Sequence, residues 1–200
     1  MLAFTSDFLR VLKRAFSKPL IGVTLGIYLL TYIAFAAIPV ILPLLAISYF
    51  GFDSVQMSYV FVYFGAVQVL LEGFIIGRLT RMVSEERLIA FDPLFMVLGM
   101  LLMPLFPSIP LFLGSAAMVT MSSAIMQTAV PSFVSKKSAA GEQGEMLGVS
   151  LSEYNIAFVP GPLLGGFVYE WSGSAAPFFL SAGMLAVAFV LGCRVFHACR

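Results

Sequence analysis

The chain has 200 residues, of which 60% are apolar and only 10% are charged, and its formal net charge is +1. A soluble domain has about 25% charged residues, so this composition excludes a soluble catalytic domain and indicates a chain that folds in a lipid bilayer. The small net charge gives no indication of nucleic-acid binding. A membrane-spanning helix needs about 20 apolar residues, so the chain has room for six spans with short connections and little else.

The first 19 residues precede the apolar stretches and form a segment of their own. In them, apolar side chains alternate with basic ones: Leu2, Phe8, Leu9, Leu12 and Phe16 with Arg10, Lys13, Arg14 and Lys18. This pattern predicts an amphipathic helix that lies on the cytoplasmic face of the membrane. It does not fit a signal peptide, because the charges run up to the apolar stretch and no small-residue cleavage site follows a short apolar region.

Six apolar stretches follow, each long enough to cross a bilayer as one helix at a rise of about 1.5 Å per residue. We predict spans at Leu20–Phe50, Val55–Leu79, Leu88–Phe106, Pro110–Val134, Met146–Tyr169 and Ala175–Val195. In the first span, Pro39 and Pro43 are expected to kink the helix near its outer end. The membrane domain therefore occupies residues 20–195, and residues 196–200 form a cytoplasmic tail.

All 11 Lys and Arg residues lie at or beyond the ends of these stretches, and they occupy alternate connections. They are Arg10, Lys13, Arg14 and Lys18 before the first span, Arg78, Arg81 and Arg87 after the second, Lys136 and Lys137 after the fourth, and Arg194 and Arg200 after the sixth. Basic residues accumulate on the cytoplasmic side of membrane proteins. We therefore predict an integral protein of the plasma (inner) membrane with both termini in the cytoplasm, where its basic residues meet anionic lipid headgroups.

Six spans divide into two sets of three, and the second set begins on the opposite side of the membrane from the first. Inverted three-helix repeats are typical of secondary transporters. Polar residues lie deep in four of the spans: Tyr28, Thr31 and Tyr32 in the first, Gln68 and Glu72 in the second, Thr120, Ser123 and Gln127 in the fourth, and Ser152, Glu153 and Asn155 in the fifth. Because polar groups turn away from lipid, we expect these four spans to line a common interior, while the third and sixth face lipid.

Three acidic residues within the spans have different predicted roles. Glu153 lies about two turns inside the fifth span, where a charge costs roughly 2.5–3.5 kcal/mol. It is interpreted either as a proton or cation-substrate site or as a carboxyl group held by neighbouring Ser, Tyr or Asn side chains. Glu72 is expected either to pair with Gln68 or a loop arginine or to take part in transport. Asp92 is expected to reach the cytoplasmic surface and to cap or bend the third span ahead of Pro93.

The loop after the second span, Gly73–Leu88, reads GFIIGRLTRMVSEERL. It resembles the loop motif G-x-L-a-D-r-x-G-r-r of the major facilitator superfamily, with Gly77 and Leu79 kept on either side of Arg78. It departs from the motif where Arg81 replaces the Asp and a serine replaces the later Gly. Such a degenerate copy is similar to the C-terminal half of these transporters, and the fourth span also lacks the Arg of N-terminal halves.

The fifth span contains a second resemblance, at Gly148, Ala157, Gly161, Pro162, Gly165 and Gly166. These residues resemble the antiporter motif G-x8-G-x3-G-P-x-x-G-G, with Ala157 in place of the middle Gly, and the preceding EQGEMLGVS is similar to drug/proton antiporters. Glycines let helices approach closely, and Pro162 removes one backbone hydrogen bond so that the helix can bend. Ordinary helix packing explains the same residues without any gating role.

The resemblance covers the whole chain and implies an all-α integral membrane fold with six helices in two inverted repeats, one half of the major facilitator fold. It implies that a small lipophilic or cationic solute is exported by proton antiport. The candidate proton and substrate residues are Glu153, Asn155, Glu72, Gln68, Gln127 and Tyr32. Alternating access rocks two six-helix halves around a site between them, so a second half is the expected partner.

Several alternatives remain open from the sequence. The second half is either another copy of this chain or a separately encoded unit, and a truncated or split gene explains the same pattern. The alternative function is a transporter-derived membrane scaffold or assembly partner that does not transport. No HExxH, P-loop or GxSxG motif is present, so we expect neither enzyme activity nor a cofactor or metal. Cys193 and Cys199 are predicted to stay reduced on the cytoplasmic side.

Overall fold

The computed structural model describes Lys13, Ala15 and residues 17–198, so the predicted amphipathic segment lies almost entirely outside the described residues. In the described part of the chain, nine α-helices and one π-helical turn are joined by short links. They are α1 (Pro19–Ala36), α2 (Ile38–Phe50), α3 (Ser54–Leu70), the π turn (Leu71–Ile76), α4 (Gly77–Met82), α5 (Glu85–Leu105), α6 (Ile109–Lys137), α7 (Gln143–Ala157), α8 (Pro160–Ser172) and α9 (Ala176–Ala198).

The first predicted span is divided at Ala37, where α1 ends and α2 begins. Pro39 has no N–H to donate to the preceding turn, so the hydrogen-bond ladder of α1 stops before it. The helix resumes when the N–H groups of Val40 and Ile41 donate to the Ala37 carbonyl oxygen at 3.1 and 3.0 Å. The proline kink expected in this span therefore lies two residues ahead of Pro39, while Pro43 is accommodated inside α2.

The fifth predicted span is divided as well, at a turn formed by Phe158 and Val159. Pro160 and Pro162 both lack the N–H that would continue α7, so α8 starts afresh at Pro160. The two pieces have 15 and 13 residues, each shorter than the roughly 20 residues of a spanning helix.

Five helical segments in the described residues are long and apolar enough to cross a membrane. They are Pro19–Phe50, Ser54–Met82, Glu85–Leu105, Ile109–Lys137 and Ala176–Arg194. Because the fifth predicted span is interrupted, the prediction of six continuous spans in two repeats is not confirmed. The architecture that the structure shows is all-helical, with five candidate membrane spans.

The third and sixth predicted spans both pack against neighbouring helices. Helix α5 packs against α6 and α9, and α9 packs against α1. As a result, 56% of the most apolar 18-residue stretch of α5 is buried within the chain. Each of these two spans has one face against its neighbours, and the expectation that the other face lies against lipid stays a prediction. Among the five candidate spans, Ser54–Met82 is the most exposed, because only 17% of its most apolar 18-residue stretch is buried.

Four glycines lie at the closest approaches between helices: Gly99, Gly161, Gly165 and Gly192. A Cβ atom at Gly161 would lie 2.7 Å from the Ala36 Cβ and 2.7 Å from the Ile33 carbonyl oxygen, and one at Gly165 would lie 2.9 Å from the Ile41 side chain. A Cβ atom at Gly192 would lie 2.8 Å from the Cα of Ala90. The start of α8 is thus pressed against the junction of α1 and α2, so the two interrupted spans meet at their breaks.

Ion pairs join the helices at the end of the bundle that bears Lys18 and Lys136, which we call the basic end. Lys18 pairs with Glu142 at 2.7 Å, which ties the entry of α1 to the entry of α7. Lys136 pairs with Glu85 at 2.7 Å, and Lys137 pairs with Glu86 at 4.0 Å. These two contacts tie the end of α6 to the beginning of α5.

Candidate functional site

A cleft of about 350 Å³ opens between α1, α3, α6 and α7. Its size falls in the range of about 300–1,000 Å³ of small-molecule sites. Its lining consists of Tyr32, Phe35, Phe64, Gly65, Gln68, Thr120, Ser123, Gln127 and Tyr154. The four helices belong to the first, second, fourth and fifth predicted spans, which are the spans with deep polar residues.

Most hydroxyl groups of the cleft are already engaged with backbone carbonyls. The Tyr32 hydroxyl donates to the Ser123 carbonyl oxygen at 2.8 Å across the α1–α6 contact. The hydroxyls of Thr120 and Ser123 donate to carbonyl oxygens of their own helix. Because each hydroxyl keeps its oxygen lone pairs, these groups can still accept a hydrogen bond from a solute.

Aromatic rings form the wall of the cleft between α1 and α7. The Tyr32 ring stands edge-on to Tyr154, with 4.8 Å between ring centroids, and to Tyr28, with 4.6 Å. Tyr154 also contacts Phe158 at the end of α7. The sequence analysis selected Glu153 and Asn155, on either side of Tyr154, and missed Tyr154 itself. A tyrosine deep in a span is also a polar residue and could have been selected for the same reason.

Glu153 is buried in α7 with 3% of its surface exposed, and neither carboxyl oxygen has a hydrogen-bond partner among the described residues. It does not line the cleft, but the adjacent Tyr154 does. The carboxyl group lies within electrostatic range of the Tyr28 phenol. The neighbouring Ser, Tyr or Asn groups considered in the sequence analysis therefore do not hold Glu153 by hydrogen bonds in this structure.

Four of the other candidate residues are more exposed than Glu153: Gln68, Glu72, Gln127 and Asn155. The Gln68 amide donates to the Glu72 carboxylate one turn further along span two, so these side chains pair with each other. Glu72 lies in the π turn and is exposed. The Asn155 amide donates to the Leu151 carbonyl oxygen of its own helix, on the outside of α7. Gln127 is exposed and lines the cleft.

Asp92 departs most clearly from its prediction. We expected it at the surface, but only 5% of it is exposed. Its span begins at Glu85, ahead of the predicted start, so Asp92 lies about two turns inside the helix and packs against α6. There the Ser122 hydroxyl donates to one carboxyl oxygen at 2.5 Å.

The motif residues divide into packed and open positions. Gly161 and Gly165 contact α1 and α2, whereas a Cβ atom at Gly148 or Gly166 would meet nothing within 4 Å. Pro162 follows the first contact glycine, within the first turn of α8. In the loop motif, Gly77, Arg78 and Arg81 lie on the short α4 and are all exposed.

No group of three or more His, Cys, Asp or Glu residues within the described ranges could hold a metal ion. Cys193 is a free thiol in α9, and Cys199 lies outside the described residues. The cleft itself offers hydrogen bonding and aromatic contact, and the carboxyl group of Glu153, buried next to the cleft, can bind a proton.

The sequence is similar to solute carriers over most of its length. It is 27% identical over 164 residues to the mouse protein "Solute carrier family 22 member 18", an alignment that covers 82% of this chain and 38% of the relative. It is 25% identical over 134 residues to the human "Solute carrier family 67 member A1", which covers 67% of this chain and 32% of the relative. The chain thus spans less than half the length of these relatives.

The fold is similar to that of a solved transporter. The crystal structure of the human organic anion transporter MFSD10 (TETRAN) superimposes with a TM-score of 0.75 at 24% identity, over 84% of this chain and 40% of that one. The Major Facilitator Superfamily matches residues 9–198, almost the whole chain. With its apolar helices, the protein is an integral membrane protein and belongs to the Major Facilitator Superfamily.

Proposed function

We propose that the chain forms the C-terminal six-helix half of a secondary active transporter that exports a small lipophilic or cationic solute in exchange for protons. The observation that carries this proposal is the cleft between α1, α3, α6 and α7 together with the buried carboxyl group of Glu153 next to it. Assignment to the C-terminal half is supported by the degenerate loop motif and by the glycine-proline motif of the fifth span.

The proposed partner is a second six-helix half, either another copy of this chain or a separate unit. Exposed polar groups at Glu72, Gln127 and Asn155 would be costly against lipid, and the span Ser54–Met82 is little buried by the rest of the chain. A second half would cover these groups. The lengths of the relatives, of which this chain spans about two fifths or less, support the same arrangement.

Native mass spectrometry in a mild detergent tests the partner. The proposal expects a dimer of this chain or a pair with a second six-helix unit. A monomer whose polar face is covered by lipid alone would count against it and would favour the alternative, a membrane scaffold that does not transport.

Proton coupling follows from the chemistry of Glu153. A proton on the carboxyl group removes a charge that is costly in a low-dielectric interior, and an approaching cation stabilises the charged form instead. Binding of a cationic solute and release of a proton are then linked. None of the described Lys and Arg side chains lines the cleft, so this half offers a neutral or cationic solute a better environment than an anion.

Glu153→Gln is the decisive variant, because glutamine keeps the size and hydrogen-bonding capacity of the side chain but cannot titrate. In proteoliposomes that contain both halves, we expect this variant to insert normally and to lose solute flux driven by a pH gradient. Glu72→Gln is the matched control, since Glu72 is exposed and paired with Gln68, and it should reduce flux much less.

The substrate panel should contain a lipophilic cation, a neutral lipophile and an organic anion. Parental flux from Glu153→Gln would refute proton coupling at this carboxyl group. Pumping of the anion alone would refute the substrate class and would agree with the name of the structural neighbour. No flux with any solute would favour the non-transporting scaffold.

A further inference from the structure

Asp92 is a second buried carboxyl group that the proposed function does not use. It is the only charged residue of α5 beyond the first turn, and the segment from Leu88 to Leu105 is otherwise apolar. One of its oxygens accepts the Ser122 hydroxyl at 2.5 Å. The other oxygen is buried and has no hydrogen-bond partner among the described residues.

Among the residues that the structure describes, no cationic group from the packed helices faces Asp92. Helix α6 has no charged residue before Lys136, near its end, and contributes the neutral Ser122. Helix α9 has no titratable residue from Ala176 to Gly192, and the Arg194 and His197 that follow are exposed. Helix α1 contributes tyrosines, of which Tyr32 lies within electrostatic range of Asp92.

Tyr32 connects this carboxyl group with the cleft. Its hydroxyl donates to the Ser123 carbonyl oxygen, and the preceding residue on α6, Ser122, donates to Asp92. The same Tyr32 side chain lines the cleft and packs against Tyr28, which lies within electrostatic range of Glu153. Each of the two buried carboxyl groups thus interacts electrostatically with one member of the contacting pair Tyr28 and Tyr32.

We propose that Asp92 is a second proton-binding carboxyl group and that each transport cycle exchanges two protons, one at Asp92 and one at Glu153. This inference rests on the proposed function. Ionisation of a carboxyl group without a cationic partner is strongly unfavourable in a protein interior, and one hydroxyl donor does not offset that cost. The proton that binds on one side of the membrane leaves on the other, so no other reactant is consumed.

The competing explanation is structural, with Asp92 fastening α5 to α6 through Ser122. Asp92→Asn distinguishes the proton-binding role from the structural role. Asparagine keeps the shape of the side chain and a carbonyl oxygen that accepts the Ser122 hydroxyl, but it cannot titrate. Ser122→Ala is the matched control, since it removes the hydroxyl donor and leaves the carboxyl group. A purely structural contact predicts that Ser122→Ala disturbs the protein more than Asp92→Asn.

The test measures how far a monovalent lipophilic cation accumulates in proteoliposomes with both halves, under a pH gradient of one unit and with the membrane potential clamped at zero. One exchanged proton limits accumulation to about 10-fold and two protons to about 100-fold, since one pH unit is a factor of ten per proton. We expect about 100-fold for the parental protein and for Ser122→Ala, and about 10-fold for Asp92→Asn. If accumulation is limited to about 10-fold in the parental protein and in both variants, the inference of a second exchanged proton is wrong, but the proposed function still stands.

A second measurement does not depend on transport. Carbodiimides modify protonated carboxyl groups in apolar surroundings, so the chain in lipid vesicles can be treated at mildly acidic pH and its peptides analysed by mass spectrometry. We expect modification at Asp92, and protection as the pH rises. If no solute accumulates, the proposed function fails and the two-proton cycle fails with it, and this labelling then decides only whether Asp92 binds a proton. Asp92 left unmodified while Glu153 is modified would overturn it.

Discussion

Gly161 and Gly166 belong to the same sequence motif, but the structure predicts opposite effects when each is replaced by alanine. At Gly161 the added methyl group would lie 2.7 Å from a methyl group and 2.7 Å from a backbone carbonyl oxygen of α1. The carbonyl cannot rotate away, so the helices would have to separate by roughly 0.8 Å to restore a contact of about 3.5 Å. At Gly166 the methyl group would meet nothing within 4 Å.

The expected magnitudes follow from these contacts. Overpacking typically costs about 1–3 kcal/mol, and we expect Gly161→Ala to fall in this range. Gly165→Ala should cost less, because its nearest contacts, at 2.9 Å to the Ile41 Cγ2 and 3.1 Å to the Ala37 Cβ, are longer than the two 2.7 Å contacts at Gly161. Gly166→Ala should stabilise by about 0.5–1 kcal/mol, since alanine is favoured over glycine inside a helix.

Thermal unfolding in detergent micelles, followed by the helical circular dichroism signal, is a suitable assay. For a chain of this length, 1 kcal/mol corresponds to roughly 2–4 °C in Tm. Gly161→Ala should therefore unfold several degrees below the parental protein, and Gly166→Ala slightly above it. Equal Tm values for the two variants would refute the helix contact at Gly161 as the reason for this glycine.

Three further predictions concern topology, the basic end and the cleft. In a background without native cysteines, a cysteine at Ser54 should react with an impermeant reagent from outside and one at Ser138 should not; the reverse pattern would contradict the assigned orientation. Lys136→Met should lower the free energy of unfolding by about 0.5–1 kcal/mol, since the pair is partly exposed, and an effect that persists in high salt would argue against an ion pair. Tyr32→Phe removes a buried hydroxyl donor and should cost about 1 kcal/mol in an unfolding titration, whereas an unchanged midpoint would show that the Ser123 contact contributes little.

The polar residues of the cleft show how far sequence reasoning reaches. Tyr32, Gln68 and Gln127 were selected because polar side chains avoid lipid, a preference that belongs to each residue wherever it lies in a span. The cleft brings these three together. Asn155 was selected for the same reason, yet it lies on the outside of α7, because polarity does not specify which way a helix is rotated.

Asp92 and the two interrupted spans show where sequence reasoning stops. The distance of Asp92 from the nearest arginine suggested a surface position, but its burial depends on where α5 begins and on how α6 packs against it. The prolines of the first and fifth spans predicted bends. The structure places these bends at Ala37 and at Phe158. Both lie at the contact of α8 with the junction of α1 and α2, which only the folded chain reveals.

The bilayer environment, the helical class, the approximate ends of the helices and the clustering of basic residues could all be derived from the sequence. These properties depend on composition and on a fixed rise per residue, which are local. The tertiary structure decided which glycines are contact points, which carboxyl groups are buried and which side chains share the cleft. Each residue turns the helix by about 100°, so these features depend on the rotation of each helix against its neighbours, and packing between distant segments sets that rotation.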